Sequence, residues 1–256
     1  MECKDVEWAA FLFNAIGEDE EYIIKLDEVQ GGIKGKQSLD NEIVGKIVNF
    51  LNEWRSRANK KVVSQSIKEW YNEMINKLAA LPLSLADLED NNAESIKEIY
   101  SSLKHKSGIG DTIASKVLHI IKPDLFVPWD IPIKSWYDSQ LNHKDYKTME
   151  PAEKYLAFLK KMQKAAKSLL QQNSNFLSEL NSKVLRLYEG NLEQAKNSEP
   201  QLKGEPKNSM KIKIDNYTKM VDFMKNTGKT ITKYLDEYNW ITITNAVKIK
   251  PEWHPD

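Results

Sequence analysis

A single carboxylate, Asp130, stands between Trp129 and Ile131 at the end of an apolar run through Leu125, Phe126 and Val127, 22 positions after Gly108 (130 − 108). A carboxylate shielded from bulk water stabilises developing positive charge and orients or deprotonates a water molecule. Upstream, Ser107-Gly108-Ile109-Gly110 forms a Gly-x-Gly turn. Its glycines allow a sharp bend and let another molecule approach the backbone without meeting a Cβ atom. The N–H groups of such a turn and of the helix start after it have no intrahelical partners, which makes a natural phosphate site. Lys104, Lys106 and Lys116 lie close by in sequence, and Arg55, Arg57, Lys60 and Lys61 form the densest basic cluster of the chain. Both groups suit the phosphates of a nucleic acid, and a solvated loop is the plainer alternative for the second. A Gly-x-Gly turn is equally a link between two core helices, and Asp130 is equally a helix N-cap.

The elements that must position these residues are helices. Ile96, Ile99, Tyr100 and Leu103 make an amphipathic approach to the turn, and Ala114, Val117, Leu118 and Ile121 give one face of a helix over Asp111–Ile121. Lys122-Pro123 ends that helix, because proline lacks the N–H and restricts the residue before it. Helical spacing also marks residues 1–30, Ser38–Trp54, Val62–Leu81, Ile131–Leu141, Pro151–Leu170 and Phe176–Tyr188. The fold class expected is therefore mainly α, with an all-helical body over residues 1–190 that contains the turn motif at 96–133. Residues 191–209 carry Pro200, Gly204 and Pro206 among polar residues and read as a linker or loop. Residues 210–256 read as a small α+β segment, with helices over Tyr217–Asn226 and Thr230–Tyr238 and a strand at 211–214 (KIKI) paired to 241–249. That segment reads as a cap on the body or as a lid that reads a substrate.

Residues 96–133 resemble the hairpin region of the helix-hairpin-helix DNA glycosylase superfamily. The match consists of Gly108, Ile109, Gly110, Ala114, Leu118, Val127 and Asp130. Over most of residues 40–175 the likeness is one of helical pattern only. The resemblance implies a helical glycosylase-like body that holds duplex DNA with one base flipped out of the stack. It implies DNA contacts at Lys106, Ser107, Gly108, Ile109, Gly110, Thr112 and Lys116, sometimes aided in the family by a monovalent cation at the hairpin carbonyls. Arg55 and Arg57 are the candidate second contact. Asp130 takes the catalytic place, and Trp129 beside it either lines the base pocket or packs in the core. Thr112 stands where bifunctional members carry a nucleophilic lysine. The expectation is therefore a monofunctional enzyme without lyase activity, in which water attacks and an abasic site remains. Ser107 replaces a frequent proline, and Ile131-Pro132 replaces a small polar residue followed by His or Asn. The alternative is a DNA-binding protein that keeps the fold without the chemistry. Repair and attack on modified foreign DNA are both open as settings.

Composition bounds the rest. Among 256 residues, 37 Lys and Arg balance 37 Asp and Glu, so any DNA contact must be a local basic surface rather than a global charge. The lone Cys3 supplies neither a disulfide framework nor a four-cysteine iron–sulfur site. His105, His119, His143 and His254 lack the spacing of a zinc site, and no cofactor is expected. Without a long apolar run, an intracellular monomer with no membrane span is the expectation.

Overall fold

The computed structural model describes residues 1–17, 19–140 and 148–244, with Glu21 described by its backbone alone. Helices α1 (Cys3–Ala15), α2 (Asp19–Ile33), α3 (Asn41–Glu53) and α4 (Lys60–Ala80) come first. They are followed by α5 (Ala93–Lys104), α6 (Asp111–Ile121), α7 (Ile131–Gln140) and α8 (Pro151–Gln172). The last are α9 (Phe176–Ser198), α10 (Glu205–Asn226) and α11 (Ile231–Asn239), which runs on as a π-turn over Trp240–Thr244. No strand occurs among the described residues.

The starts are set by local chemistry. Asp40 and Asn59 accept hydrogen bonds from the N–H groups of Ile43 (2.9 Å) and Val62 (3.2 Å), capping α3 and α4. Glu150 and Glu153 close a reciprocal capping arrangement at α8, with Pro151 in the first turn, where its missing N–H costs nothing. Gly17, with φ +78°, divides the helical pattern of residues 1–30 into α1 and α2. The apolar faces meet in one core that includes Trp70, Tyr100, Leu118, Phe126, Trp129, Tyr155 and Phe158. The polar tip of Trp70 is paired inside it, Nε1 donating to the Ile99 carbonyl at 3.2 Å, whereas the Nε1 of Trp129 is buried with no hydrogen-bond partner.

The C-terminal third differs from the expectation. Helix α9 continues through Gly190 to Ser198, and only Glu199–Gly204 breaks the helical run. Leu180, Val184, Tyr188, Leu192 and Ala195 keep helical spacing past the glycine and outweigh the polar composition on which the linker reading rested. The KIKI residues lie inside α10, not in a strand. Their alternation is too short to fix a period, whereas Ile214, Tyr217, Val221 and Met224 follow the helical one. Ile212 is 63% exposed, unlike one face of a packed strand. The second proposed strand begins as the π-turn, and residues 245–249 lie outside the described residues. The described part of this segment is thus helical, and it packs into the body. Met220, Phe223, Tyr234 and Leu235 belong to the same core as the N-terminal helices.

A buried ionic chain joins these parts. Lys229, just before α11, reaches Asp19 at the start of α2 and Glu237 Oε1 at 2.9 Å. Lys233 reaches Asp236 at 3.2 Å and Glu237 at 3.6 Å, with its ammonium 4.3 Å from the ring centres of both Phe13 and Tyr22. Burial and the charge of Asp19 raise the pKa of Glu237. Asp19, opposed by burial but held by Lys229 and Lys233, is lowered. With a proton on Glu237, two carboxylates balance two ammonium groups in the interior, as buried charges require. Tyr188 adds a donor to Asp19 at 2.5 Å.

Removing one partner of such a set leaves a charge stranded in the interior. Lys229→Met is expected to cost about 3–5 kcal/mol in urea unfolding. Lys225→Met, which breaks the half-exposed pair with Glu189 at 2.8 Å, should cost at most about 1 kcal/mol. Equal costs would contradict this account of the ionic chain.

Candidate active site

The apolar run to Asp130 crosses the interior without a sheet or helix to satisfy its backbone, so side chains do so. His119 Nδ1 donates to the Phe126 carbonyl at 2.6 Å, and Tyr155 donates to that of Val127 at 3.0 Å. Ser115 Oγ accepts from the Trp129 N–H at 2.9 Å. His119 Nε2 then accepts from the Tyr22 hydroxyl at 2.8 Å. Burial pushes the histidine down to about 3, against the opposing bond to Phe126, so it stays neutral and structural. Two residues of α6 and one of α8 thereby fix where the chain emerges.

Asp130 emerges as the cap of α7, and its Oδ1 accepts from the Ile133 N–H at 3.1 Å. It is half-buried and lines a cavity of about 360 Å³. Thr112 and Lys116, one helical turn apart on α6, line the same cavity, as do Phe13, Trp54, Arg55, Asp236 and Trp240. Burial raises the carboxyl of Asp130 above its ordinary range; the Ile133 N–H and Lys116 oppose this and Asp236 adds to it. Asp236 is also raised, by burial first, with Lys233 and Lys116 pulling it back. Lys116 donates to the Trp54 carbonyl at 2.5 Å and sits 4.8 Å from the centre of its ring. Burial brings that amine down to about 8, despite the charges of Asp236 and Asp130. The site thus combines two carboxylates, one depressed amine and an aromatic wall in which Trp240 meets Phe13 edge-on at 5.4 Å.

The residues expected to contact DNA separate into two places. Ser107, Gly108 and Gly110 are exposed at the turn between α5 and α6, and the side chain of Ile109 is buried beneath them. Lys106 is engaged with Glu73 at 2.7 Å, and Lys104 with Asp111 at 2.8 Å. Asp111 also takes Lys134 and the Tyr100 hydroxyl, so the charge at the mouth of the turn is internally spent. Thr112 and Lys116 face the cavity, and Lys116 is 7% exposed, which corrects its placement as a phosphate contact beside the turn. Arg55 and Arg57 are exposed on a loop where both have left-handed backbone, φ 59° and 51°. Asn52 holds that loop through both the N–H (2.6 Å) and the carbonyl (3.1 Å) of Ala58. Arg55 reaches the cavity wall; Arg57 is not among the residues lining it.

Trp129 does not line the cavity. It is fully buried and stacked on Phe158 at 5.6 Å, the core alternative of the two that the sequence leaves open. The aromatic wall instead comes from Phe13, Trp54 and Trp240, on three segments distant in sequence. Phe13 and Trp54 sit in helical stripes that carry no mark beyond core packing. Asp236 sits in the run Tyr234–Tyr238, where nothing in the residue types separates a buried acid from a surface one. A larger cavity, about 890 Å³, lies around Tyr22, Lys34, Tyr71, Lys122 and Lys229 and includes none of the expected catalytic or DNA-contact residues. No cluster of His, Cys, Asp and Glu suited to a metal occurs among the described residues, and no helix there is long and apolar enough to cross a membrane.

Comparison with protein-family models, curated proteins and solved structures finds no match to this chain.

The two glycines of the turn make different demands. Gly108 has φ +75°, and a Cβ there would lie 3.1 Å from Val62 Cγ1. Gly110 has extended backbone, φ −98° and ψ −178°, and a Cβ there would meet nothing within 4 Å. Gly108→Ala is expected to destabilise by about 1 kcal/mol or more in thermal or urea unfolding, and Gly110→Ala to change stability by less than about 0.5 kcal/mol. Equal losses would contradict the backbone assignment.

Proposed function

We propose that this chain is a monofunctional DNA glycosylase of the helix-hairpin-helix type, which flips a damaged or modified base out of a duplex and releases it by hydrolysis of the N-glycosidic bond. The observation that carries the reading is the convergence of Thr112 and Asp130, one at the start of α6 and the other at the cap of α7, on a single aromatic-walled cavity. About 360 Å³ lies at the lower end of pockets that enclose small ligands, roughly 300–1,000 Å³.

The chemistry follows from the charge. Breaking the bond from deoxyribose to a base builds an oxocarbenium-like sugar, as in glycoside cleavage generally. A fixed carboxylate with little water around it stabilises that cation more strongly than the neutral ground state. Asp130 is held in place by the Ile133 N–H, and as the sugar cation collapses it orients the attacking water. Thr112 has no amine to compete with that water. The exposed turn at Ser107–Gly110 supplies amides for a phosphate of the bent duplex, and Arg55 and Arg57 extend the contact along the backbone. The aromatic wall of Phe13, Trp54 and Trp240 replaces the stacking that the flipped base gives up.

The test is release of free base, read by mass spectrometry, from duplexes carrying alkylated, oxidised, deaminated and hypermodified bases. Asp130→Asn should lower the rate by at least about 10²–10³-fold, with duplex affinity within a few fold of wild type. Binding without release from any substrate would favour a DNA-binding protein that keeps the fold without the chemistry, and full activity in Asp130→Asn would remove the carboxylate from the mechanism. Because burial and Asp236 raise the Asp130 pKa, the carboxyl stays protonated to higher pH than usual. The rate should therefore fall on the acid side at a pH above the ordinary aspartate value of about 3.9. An acid limb at or below that value would contradict the burial argument.

A further inference from the structure

Helix α8 carries five lysines and one carboxylate, in a chain whose charges balance overall. The carboxylate, Glu153, is used in the cap at the start of the helix, where it accepts from the Glu150 N–H at 2.9 Å. Lys160 is spent on Asp90 at 2.6 Å. Lys161, Lys164 and Lys167 are exposed and make no ion pair among the described residues. Their spacing of three places them on adjoining turns of one side of the helix. The result is a positive stripe that the protein does not neutralise, and a polyanion would.

Beside the stripe stands an aromatic ring that the core does not enclose. Trp136 is 40% exposed, whereas its neighbour Tyr137 is buried and donates to Asn239 Oδ1 at 3.2 Å. Tyr137 meets the Trp136 ring edge-on at 4.7 Å, and the Lys161 ammonium lies 5.5 Å from the centre of that ring. These two contacts hold the indole in place and leave much of it open to solvent. Around it, the exposed residues of α7 are uncharged: Ile131, Pro132, Ser135, Ser139 and Gln140. Pro132 and Trp136 are one turn apart, about 6 Å along the axis, and Ile131 and Pro132 line the cavity that holds Asp130. An uncharged path thus leads from that cavity to a ring edged by lysines, over roughly the reach of one nucleotide in an unstacked strand.

An exposed ring with ammonium groups beside it stacks a base and holds its phosphates. Bases inside a duplex are covered on both faces by their neighbours, so only an unstacked base can use such a ring. We propose that α7 and α8 bind a single-stranded flank of the DNA, so that the preferred substrate is a duplex that opens into single strand beside the target base. The turn at Ser107–Gly110 holds the duplex side, and the cavity takes the target base. The next base lies on Trp136, with its backbone along Lys161 and Lys164. An acidic peptide would answer the lysines but leave the indole without a role, which favours nucleic acid.

The inference rests on the base-excision reading for the place of the target base, but affinity alone tests it. The probes are a blunt duplex and duplexes with a 5′ or a 3′ single-stranded extension, matched in number of phosphates. Binding to the full-length protein is read by fluorescence anisotropy. One of the two extensions should raise affinity about tenfold or more over the blunt duplex. Trp136→Ala should lose most of that gain and Trp136→Phe keep it, with blunt-duplex affinity unchanged in both. Lys161→Gln combined with Lys164→Gln should flatten the slope of log K against log salt by about 1–1.5 for the extended duplex. Equal affinity for blunt and extended duplexes, a gain that survives in Trp136→Ala, or an acidic peptide bound as tightly as the extended duplex would overturn the inference. A gain that depends on Trp136, without release of any base, would uphold it and count against base excision. Base release with no gain from either extension would do the reverse.

Discussion

The constraint on which the site depends is that the chain from Phe126 to Trp129 runs through the core with no ladder of its own. An unpaired backbone group in that setting costs as much as a lost hydrogen bond. Helices α6 and α8 provide the partners through His119, Ser115 and Tyr155. The same contacts that satisfy the backbone therefore fix the position of Asp130. Helix α6 also carries Thr112 and Lys116, which line the cavity with Asp130, so one helix sets both the depth of the carboxylate and side chains that share its cavity. His119 serves this purpose as a neutral ring between Tyr22 and Phe126, which accounts for a histidine where no metal or acid–base role is needed.

The second constraint is charge in the interior. The ionic chain from Asp19 through Lys229, Glu237 and Lys233 to Asp236 ends at the wall of the cavity. It ties α11 to α2, and through α11 it brings Asp236 and Trp240 to the carboxylate of Asp130. Closing the cavity with these residues dries it, raising both carboxyls and lowering the Lys116 amine. Desolvation thus acts in opposite directions on acids and bases, and it leaves all three groups closer to neutrality than they would be in water. The basic contacts at the turn are weaker than their sequence spacing suggests, because Lys104 and Lys106 are spent on Asp111 and Glu73. Backbone amides and the loop of Arg55 and Arg57 carry the proposed phosphate contact instead.

Much of this was legible in the sequence where a local rule decides the outcome. The helix over Asp111–Ile121, the exposed glycine turn and the N-cap at Asp130 follow from spacing, proline and capping chemistry, and all are present. In the C-terminal part the helices over Tyr217–Asn226 and Thr230–Tyr238 are present, whereas the strand and linker readings fail, because KIKI is too short to reveal its period and because Gly190 and polar neighbours outweigh the stripe of α9. The aromatic wall was not legible at all. Phe13, Trp54 and Trp240 come together only through packing of α1, α3 and the C-terminal π-turn, and each looks like an ordinary core residue in its own segment. Trp129 shows the converse: adjacency to Asp130 leaves pocket and core both open in the sequence, and its stacking on Phe158 decides for the core.

The central claim is that Asp130 stabilises positive charge on a deoxyribose ring, and it can be tested without knowing the base. The measurement is the affinity for a duplex bearing a pyrrolidine abasic mimic, cationic at the ring, relative to the same duplex with a neutral tetrahydrofuran. The account predicts a preference of about 10²-fold or more for the cation, largely lost in Asp130→Asn. Equal affinity for the two duplexes, or a preference that survives in Asp130→Asn, would contradict it.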